Sequence, residues 1–579
     1  MAESFPVTLA AGPSSKERKY DRQLRLWAAS GQQALEDSRV LLINSDGAVD
    51  SDNLPLTGVA GVETLKNLVL PGIGGFMVVD PATVSEPDLG VNFFLSEESL
   101  GKSRAEETCK YLRELNPDVD GTYSAQPILE LLKGETFLPS FRLVIVAGPI
   151  NQSTLQTISE ATKQLNIPLI YVHAVGFYGA FSLQLPSIFP VIDTHPDPES
   201  TQDLRLTNPW PELLEAVRKI DNLDSMDDHQ HGHVPYLLLL LHFLEKWKAG
   251  HDGQYPQNYR EKSKFRELVR GMTRTSNPEG GEENFDEAVA AVIKSVNPWS
   301  LSSGLRAIFE MEQSSQLTSS SDNFWFIVSA VKSFYEKHGI LPLPGSLPDM
   351  KAQSADYIQL QNIYKSKARQ DVAEVVASVR ALENHLRDCG FEGASHISEK
   401  EIELFCKNAA HIKVIKGSSL PLLYPSLSNL DSQRTATALK NHLQNPESLL
   451  PIFIALKTLD SLVTTYQRSP SSADPPLTAS STTYLQDSKN WNLALPNLLS
   501  ELKLSSASMG DEELEIQTRI EDAAAEVRRI GAGELHNIAA LMGGCVAQES
   551  LKVLTKQYVP LDNTFIYDGV KCRGEMFRL

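Results

Sequence analysis

Three histidines stand at alternate positions in the segment DSMDDHQHGHVPY: His229, His231 and His233. On an extended strand such imidazoles share one face and could ligate zinc or copper. The segment is polar and runs into a helical pattern at Pro235, so it reads instead as a loop, and no metal site is expected. Gly58 and Gly61 precede a helical pattern after a short apolar strand, where a glycine turn brings backbone N–H groups to a phosphate. Two glycines also suit an ordinary loop, which is the preferred reading. Asp80 ends the next strand, where a carboxylate binds a ribose hydroxyl or simply opens a turn before Pro81. The five cysteines, Cys109, Cys389, Cys406, Cys545 and Cys572, form no CxxC pair and give no zinc-ribbon signal.

The elements that must position these residues alternate at first. Arg39–Asn44, Phe76–Asp80, Arg142–Ala147 and Pro168–His173 are apolar strand patterns, with helical spacing over Val62–Leu70 and Asn151–Leu165. Near-continuous apolar strands between helices predict a parallel sheet covered on both faces. Beyond Pro190 the patterns are long and helical, as in Pro235–Ala249, Asn323–His338, Tyr357–Arg387 and Glu399–Lys407. Ser-rich breaks fall at Gln313–Asp322 and Ser469–Thr483, the second reading as an exposed linker. A long helix over Gly533–Lys556 and a strand at Thr564–Asp568 restore the first pattern. The expected organisation is one α/β domain, residues 1–190 and 511–579, split by a mainly helical insertion over 191–510.

Composition narrows the function. The 579 residues suggest roughly three to five structural units. A net charge of −20 argues against a general nucleic-acid binder, because phosphate contacts need Lys and Arg. No apolar run approaches the roughly 20 residues of a membrane span, and the N-terminus lacks the charged start and apolar core of a secretory signal. Sparse cysteines suit a reducing compartment. A soluble protein of the cytoplasm, and of the nucleus as a second compartment, is expected.

Longer motifs carry a resemblance. Lys19–Trp27 (KYDRQLRLW), Leu65–Asp80 (LKNLVLPGIGGFMVVD), Asn92–Glu106 (NFFLSEESLGKSRAE), Gly176–Pro186 (GFYGAFSLQLP), Leu347–Ala368 (LPDMKAQSADYIQLQNIYKSKA) and Ala547–Gly569 (AQESLKVLTKQYVPLDNTFIYDG) resemble the enzymes that activate ubiquitin-like proteins. The Leu347–Ala368 block, inside the helical stretch, is similar to the regulatory, amyloid-precursor-protein-binding type of subunit of neddylation activating enzymes. The resemblance runs from about Lys16 to Gly569. It implies a Rossmann-like adenylation domain, split by a large, mainly α-helical insertion.

The resemblance also implies what this chain has lost. A working half carries a GxGGxG turn, and the same frame here is Leu56-Thr57-Gly58-Val59-Ala60-Gly61. Val91 stands where an Arg is expected, and Val146-Ala147-Gly148-Pro149 lacks the carboxylate that would hold magnesium. Arg104 keeps the charge of a lysine in the GxxKA segment, so Asp80 and Arg104 are the vestiges of a nucleotide site. The acceptor cysteine has no counterpart, and Cys389 and Cys406 read as structural thiols. About a dozen residues, Ser45–Leu56, are extra between the first strand and its helix, either a surface loop or a gene-model artefact.

In this family the Arg of the DRQ opening reaches the ATP of the other half, so Arg22 is expected to act in trans, stabilising charge at the outer phosphate. The competing reading has Arg22 cap or pair within its own helix. Leu24, Trp27 and Leu35 are expected to pack this amphipathic start onto the sheet or the partner. Asp349, Met350, Tyr357 and Leu360 are implied to contact the partner, or to pack internally. The expected partners are the catalytic subunit of the neddylation activating enzyme, the ubiquitin-like modifier and, transiently, a conjugating enzyme, with cullins as final targets. The chain needs no cofactor of its own; ATP and magnesium belong to the partner. The matching subunit of the sumoylation activating enzyme lacks an insertion of this size. A dinucleotide-dependent oxidoreductase needs an intact GxGxxG, and a pure scaffold would have no ATP contact.

Overall fold

Six strands of the first 184 residues enter one sheet. They are β1 (Arg39–Ile43), β2 (Gly75–Val79), β3 (Asp120–Ser124), β4 (Leu143–Ala147), β5 (Leu169–Val175) and β6 (Tyr178–Gln184). The computed structural model describes residues 14–47, 58–197, 203–220, 222–275, 281–318, 321–388, 396–421, 437–468, 482–502, 504 and 511–579. A two-stranded sheet follows, β7 (Phe189–Ile192) with β8 (Ile412–Ile415), and the C-terminus adds β9 (Thr564–Asp568) and β10 (Arg573–Phe577). The large sheet runs β10-β9-β6-β5-β4-β1-β2-β3.

From β3 to β5 the strands are parallel, as the continuous apolar runs predict. Val40–Ile43 and all of β4 and β5 are buried, which suits strands covered on both faces. The other end departs from the expected all-parallel sheet. β5 and β6 form a hairpin turning at Gly176 and Phe177, and β9 and β10 continue antiparallel. Gly176 takes φ +52°, which glycine tolerates and a β-branched residue does not. β9 alternates buried and half-buried residues, the period-2 pattern of an antiparallel strand with one wetter face.

The chain divides into two compact units, Met1–Phe189 with Ile415–Leu579, and Pro190–Val414. The first break, between Phe189 and Pro190, falls beside the expected bound at 190. The second is corrected from 510 to 414, because the helix Leu450–Arg468 packs with the α/β unit. That helix lies against β9, Gln152–Gln164 and Asp511–Ile530, and buries Phe453, Leu456, Leu459 and Leu462. The expected linker at 469–483 falls, up to residue 481, outside the described residues.

The helical unit forms its core around Tyr236–Ala249, whose Leu237–Leu241 run is wholly buried among Phe265, Phe285, Val292 and Tyr364. A helix apolar all round belongs in a core. Among the described residues no helix is long and apolar enough to cross a membrane.

Candidate functional site

In an open α/β sheet the ligand crevice lies at the carboxyl ends of the strands where the winding direction reverses. Here that point lies between β1 and β4, which pair in parallel while their successors go opposite ways. The helix Val59–Val69 follows β1 and the helix Gln152–Gln164 follows β4. Gly58 and Gly61 let the first helix approach the sheet. A Cβ on Gly58 would lie 2.3 Å from Ala147 Cβ, and one on Gly61 would lie 2.6 Å from Leu42 Cδ1. The two retained glycines therefore serve helix-to-strand packing, one of the roles that glycines have in this turn.

Asp80 and Arg104 meet each other. Arg104 Nε donates to Asp80 Oδ2 at 2.7 Å and Nη2 to Oδ1 at 3.2 Å, a bidentate pair. Arg104 Nη1 donates to Asp88 Oδ1 at 2.9 Å, and Asn44 Nδ2 donates to Asp80 Oδ2 at 2.8 Å. The Arg104 and Asp80 side chains are 1% and 0% exposed. Burial opposes the guanidinium charge, but Asp80 and Asp88 more than offset it and raise its pKa. Asp80 has its lone pairs taken within the protein, by Ala82 N as well, which leaves a ribose no free carboxylate.

Val91 ends the helix Glu86–Val91, and its carbonyl accepts from His536 Nδ1 at 2.9 Å. The neighbouring Phe93 stacks on His536 with ring centroids 3.6 Å apart. At the exit of β4, a Cβ on Gly148 would lie 2.4 Å from Tyr171 Oη and 3.0 Å from His173 Cγ. Tyr171 therefore excludes any side chain there, a magnesium-binding carboxylate included.

Below Gly148 lies a polar cluster that sequence reasoning missed. Tyr171 Oη donates to Asp460 Oδ1 at 2.9 Å, and Lys457 Nζ lies 3.4 Å from Asp460 Oδ2. His173 Nδ1 is 3.3 Å from Asp460 Oδ1 without the alignment of a hydrogen bond. Lys457 also sits 4.4 Å from the centre of the Tyr171 ring. Burial pushes the pKa values of Lys457 and His173 down. The one local signal is a Lys and an Asp three residues apart within an apolar helix.

Arg22 is exposed and, among the described residues, has no hydrogen-bond or ion-pair partner. Its neighbour Arg25 makes the local pair instead, with Asp21 at 2.9 Å. The helix Asp21–Glu36 breaks inside, with Trp27 at φ −122° and Ala28 at φ +56°, ψ −177°. Trp27 and Leu35 are buried and Leu24 half-buried, and before Arg22 Tyr20 is buried too and accepts from Asn116 Nδ2 at 3.0 Å, so the segment is anchored on both sides of the exposed Arg22.

In the helical unit Met350 is 9% exposed and Leu360 1%, both within the core around Tyr364. Tyr357 is half-buried and donates to the Pro348 carbonyl at 3.2 Å. Asp349 is exposed. Of the four residues expected at a partner contact, two thus pack internally and Asp349 alone is fully open. The three histidines part ways: His231 pairs with Glu282 at 2.6 Å and is buried, while His229 and His233 stack at 4.3 Å. His229 and His231 lie in the single helical turn Asp228–His231, capped by Asp227, and His233 in the turn that follows, a geometry that does not present alternate residues on one face. Cys406 is buried, its pKa raised by desolvation; Cys389 lies outside the described residues. Of the extra stretch 45–56, only Ser45–Gly47 is described, and Asp46 there accepts from Asn151 N at 3.1 Å.

The ThiF family model matches residues 20–579. The NEDD8-activating enzyme E1 regulatory subunit of Danio rerio is 37% identical, covering 98% of this chain and 99% of that protein. Its Xenopus laevis counterpart is also 37% identical, covering 97% and 99%. The regulatory subunit AXL of Arabidopsis thaliana is 33% identical, again covering 97% and 99%. The chain belongs to the ThiF family, within its branch of NEDD8-activating enzyme E1 regulatory subunits.

Proposed function

We propose that this chain is the non-catalytic half of a heterodimeric enzyme that adenylates a ubiquitin-like modifier. Its catalytic partner binds ATP and magnesium, forms the thioester on its own cysteine and hands the modifier to a conjugating enzyme. This chain contributes Arg22 to the partner's ATP. The observation that carries the reading is an exposed guanidinium, on a segment held by buried Tyr20 and Trp27, that has no partner among the described residues. A cation held in that way is available to charge that develops on a neighbour's phosphate. The buried Asp80–Arg104 pair and the filled space at Gly148 support the complementary point, that this chain does no adenylation itself. Asp349 and the open edge of Tyr357 are the proposed contacts of the helical unit.

The test is ATP–pyrophosphate exchange by the two-chain complex. Arg22→Ala should lower the rate about 100-fold or more, the size expected for loss of a transition-state charge contact. An unchanged rate sinks the trans role. Exchange by this chain alone would contradict the incomplete site.

A further inference from the structure

The helix Val59–Val69 starts at Gly58, which has no side chain with which to cap it. Its first N–H groups must find an acceptor elsewhere. In a nucleotide-binding fold that acceptor is a phosphate. Here it is Glu534. Val59 N donates to Glu534 Oε2 at 2.7 Å and Ala60 N to Oε1 at 3.4 Å, and the residue is 8% exposed.

The second helix at the crevice has its own cap, Asn151, which accepts from Ser153 N at 2.9 Å, and other side chains take the N–H groups beside it. Asn151 N donates to Asp46 Oδ2 at 3.1 Å, and Gln152 N to Thr464 Oγ1 at 2.9 Å. Glu534 is held in place by its own backbone. It forms a β-bridge with Gly176, and Gly176 N donates to the Gly533 carbonyl at 2.9 Å. A Cβ on Gly543 would lie 2.6 Å from Glu63 Cβ, so the helix His536–Thr555 that follows is seated closely on Val59–Val69. The carboxylate is therefore aimed by a bridged backbone and a closely packed helix.

We propose that Glu534 is a resident anion that takes the phosphate position of this chain's own vestigial nucleotide site and keeps it closed. The fold retains the donors of a phosphate cradle and supplies their ligand from within. A nucleotide approaching the helix meets a fixed negative charge where its phosphate would bind, and finds the N–H groups already in use. Glu534 thereby leaves the partner's site as the one nucleotide site of the assembly. The inference is separate from the trans role of Arg22, since exchange by the complex reads one and anion binding by the single chain reads the other.

The test uses the full-length chain without its partner and inorganic pyrophosphate as the probe, with binding followed by calorimetry. Glu534→Ala should bind pyrophosphate at least about tenfold more tightly than wild type, the scale of one charge removed from a helix terminus. Glu534→Gln keeps the volume and loses the charge, and should show a smaller gain in the same direction. A folded variant of either kind that binds no better than wild type overturns the proposal. Hydrogen exchange on the wild-type chain needs no variant. The Val59 and Ala60 amides should be protected without pyrophosphate and gain nothing from it. Protection that appears only when pyrophosphate is added also overturns the proposal.

Discussion

Arg104 and Asp80, each placed where a nucleotide contact is expected, spend their charges on each other across 2.7 Å in a buried, bidentate pair. Buried pairs of this kind are costly to break from one side, because the survivor is left charged and dry. Arg104→Ala should therefore destabilise the chain by about 3–5 kcal/mol in urea unfolding. Arg104→Lys keeps the charge but loses the fork, and should recover only part of that loss. A near-neutral Arg104→Ala would mean that water reaches Asp80 and Asp88.

The cluster below Gly148 makes a similar prediction with a built-in control. Asp460→Ala leaves Lys457 buried without its carboxylate and should cost about 3–5 kcal/mol. Adding Lys457→Met to it removes the orphaned charge and should restore most of the loss. Thermal unfolding of the two single variants and the double variant reads the coupling.

His173 gives the cluster a pH dependence. Burial lowers its pKa below the usual 6.5; Asp460 opposes and Lys457 adds to the shift. Tyr171, Ser182 and Lys457 line the same small cavity, and Asp460 pairs with Lys457. The folded state favours the neutral ring, so the stability is present above pH 6.5 and is lost as the pH falls through the depressed folded value. His173→Leu should flatten this part of the melting-temperature profile between about pH 7 and pH 5. An unchanged profile would show that other groups set the acid limb.

Thiol chemistry separates structural cysteines from a reactive one. Burial pushes Cys109 up to about 11, and raises Cys406 further. At pH 8 a thiol near 11 is only about one part in a thousand thiolate. An alkylating reagent should label exposed Cys572 first and leave Cys109 and Cys406 unmodified until the chain unfolds. Rapid native labelling of Cys406 would contradict its burial.

Ala28 occupies a region of backbone space that glycine alone enters freely, at φ +56° and ψ −177°. Ala28→Gly should stabilise the chain by about 1 kcal/mol, the relieved strain less the added freedom of the unfolded state. A lower melting temperature for the variant would refute strain at the bend.

The parallel strands were legible because buried strands read as continuous apolar runs. The helices Asn323–His338 and Glu399–Lys407 were read to the residue from their spacing. The antiparallel end was not, because β6 is buried almost throughout and lacks the alternation that marks such strands. Asp80 and Arg104 could be found singly, but their pairing across 24 residues could not, since spacing along the chain says nothing of which side chains face each other. Glu534 was invisible for the same reason in stronger form. It sits in a plain GAGELHN segment, and its partners lie 474 and 475 residues away. The one hint was Gly58, a helix start with nothing of its own to cap it. The end of the insertion was misread because Leu450–Arg468 has the same period as the helices of the other unit.

The sheet order also constrains how the protein can be made. β6 is an interior strand only because β9 pairs along it, and β9 follows β6 in the chain only after the whole helical unit. Until β9 leaves the ribosome, Tyr178–Gln184 presents an open row of N–H and C=O groups, a template for pairing with another nascent chain. A message truncated before Thr564 would yield a polypeptide with most of its core and a sticky flank. Translation must pass Asp568 before the flank of β6 is covered.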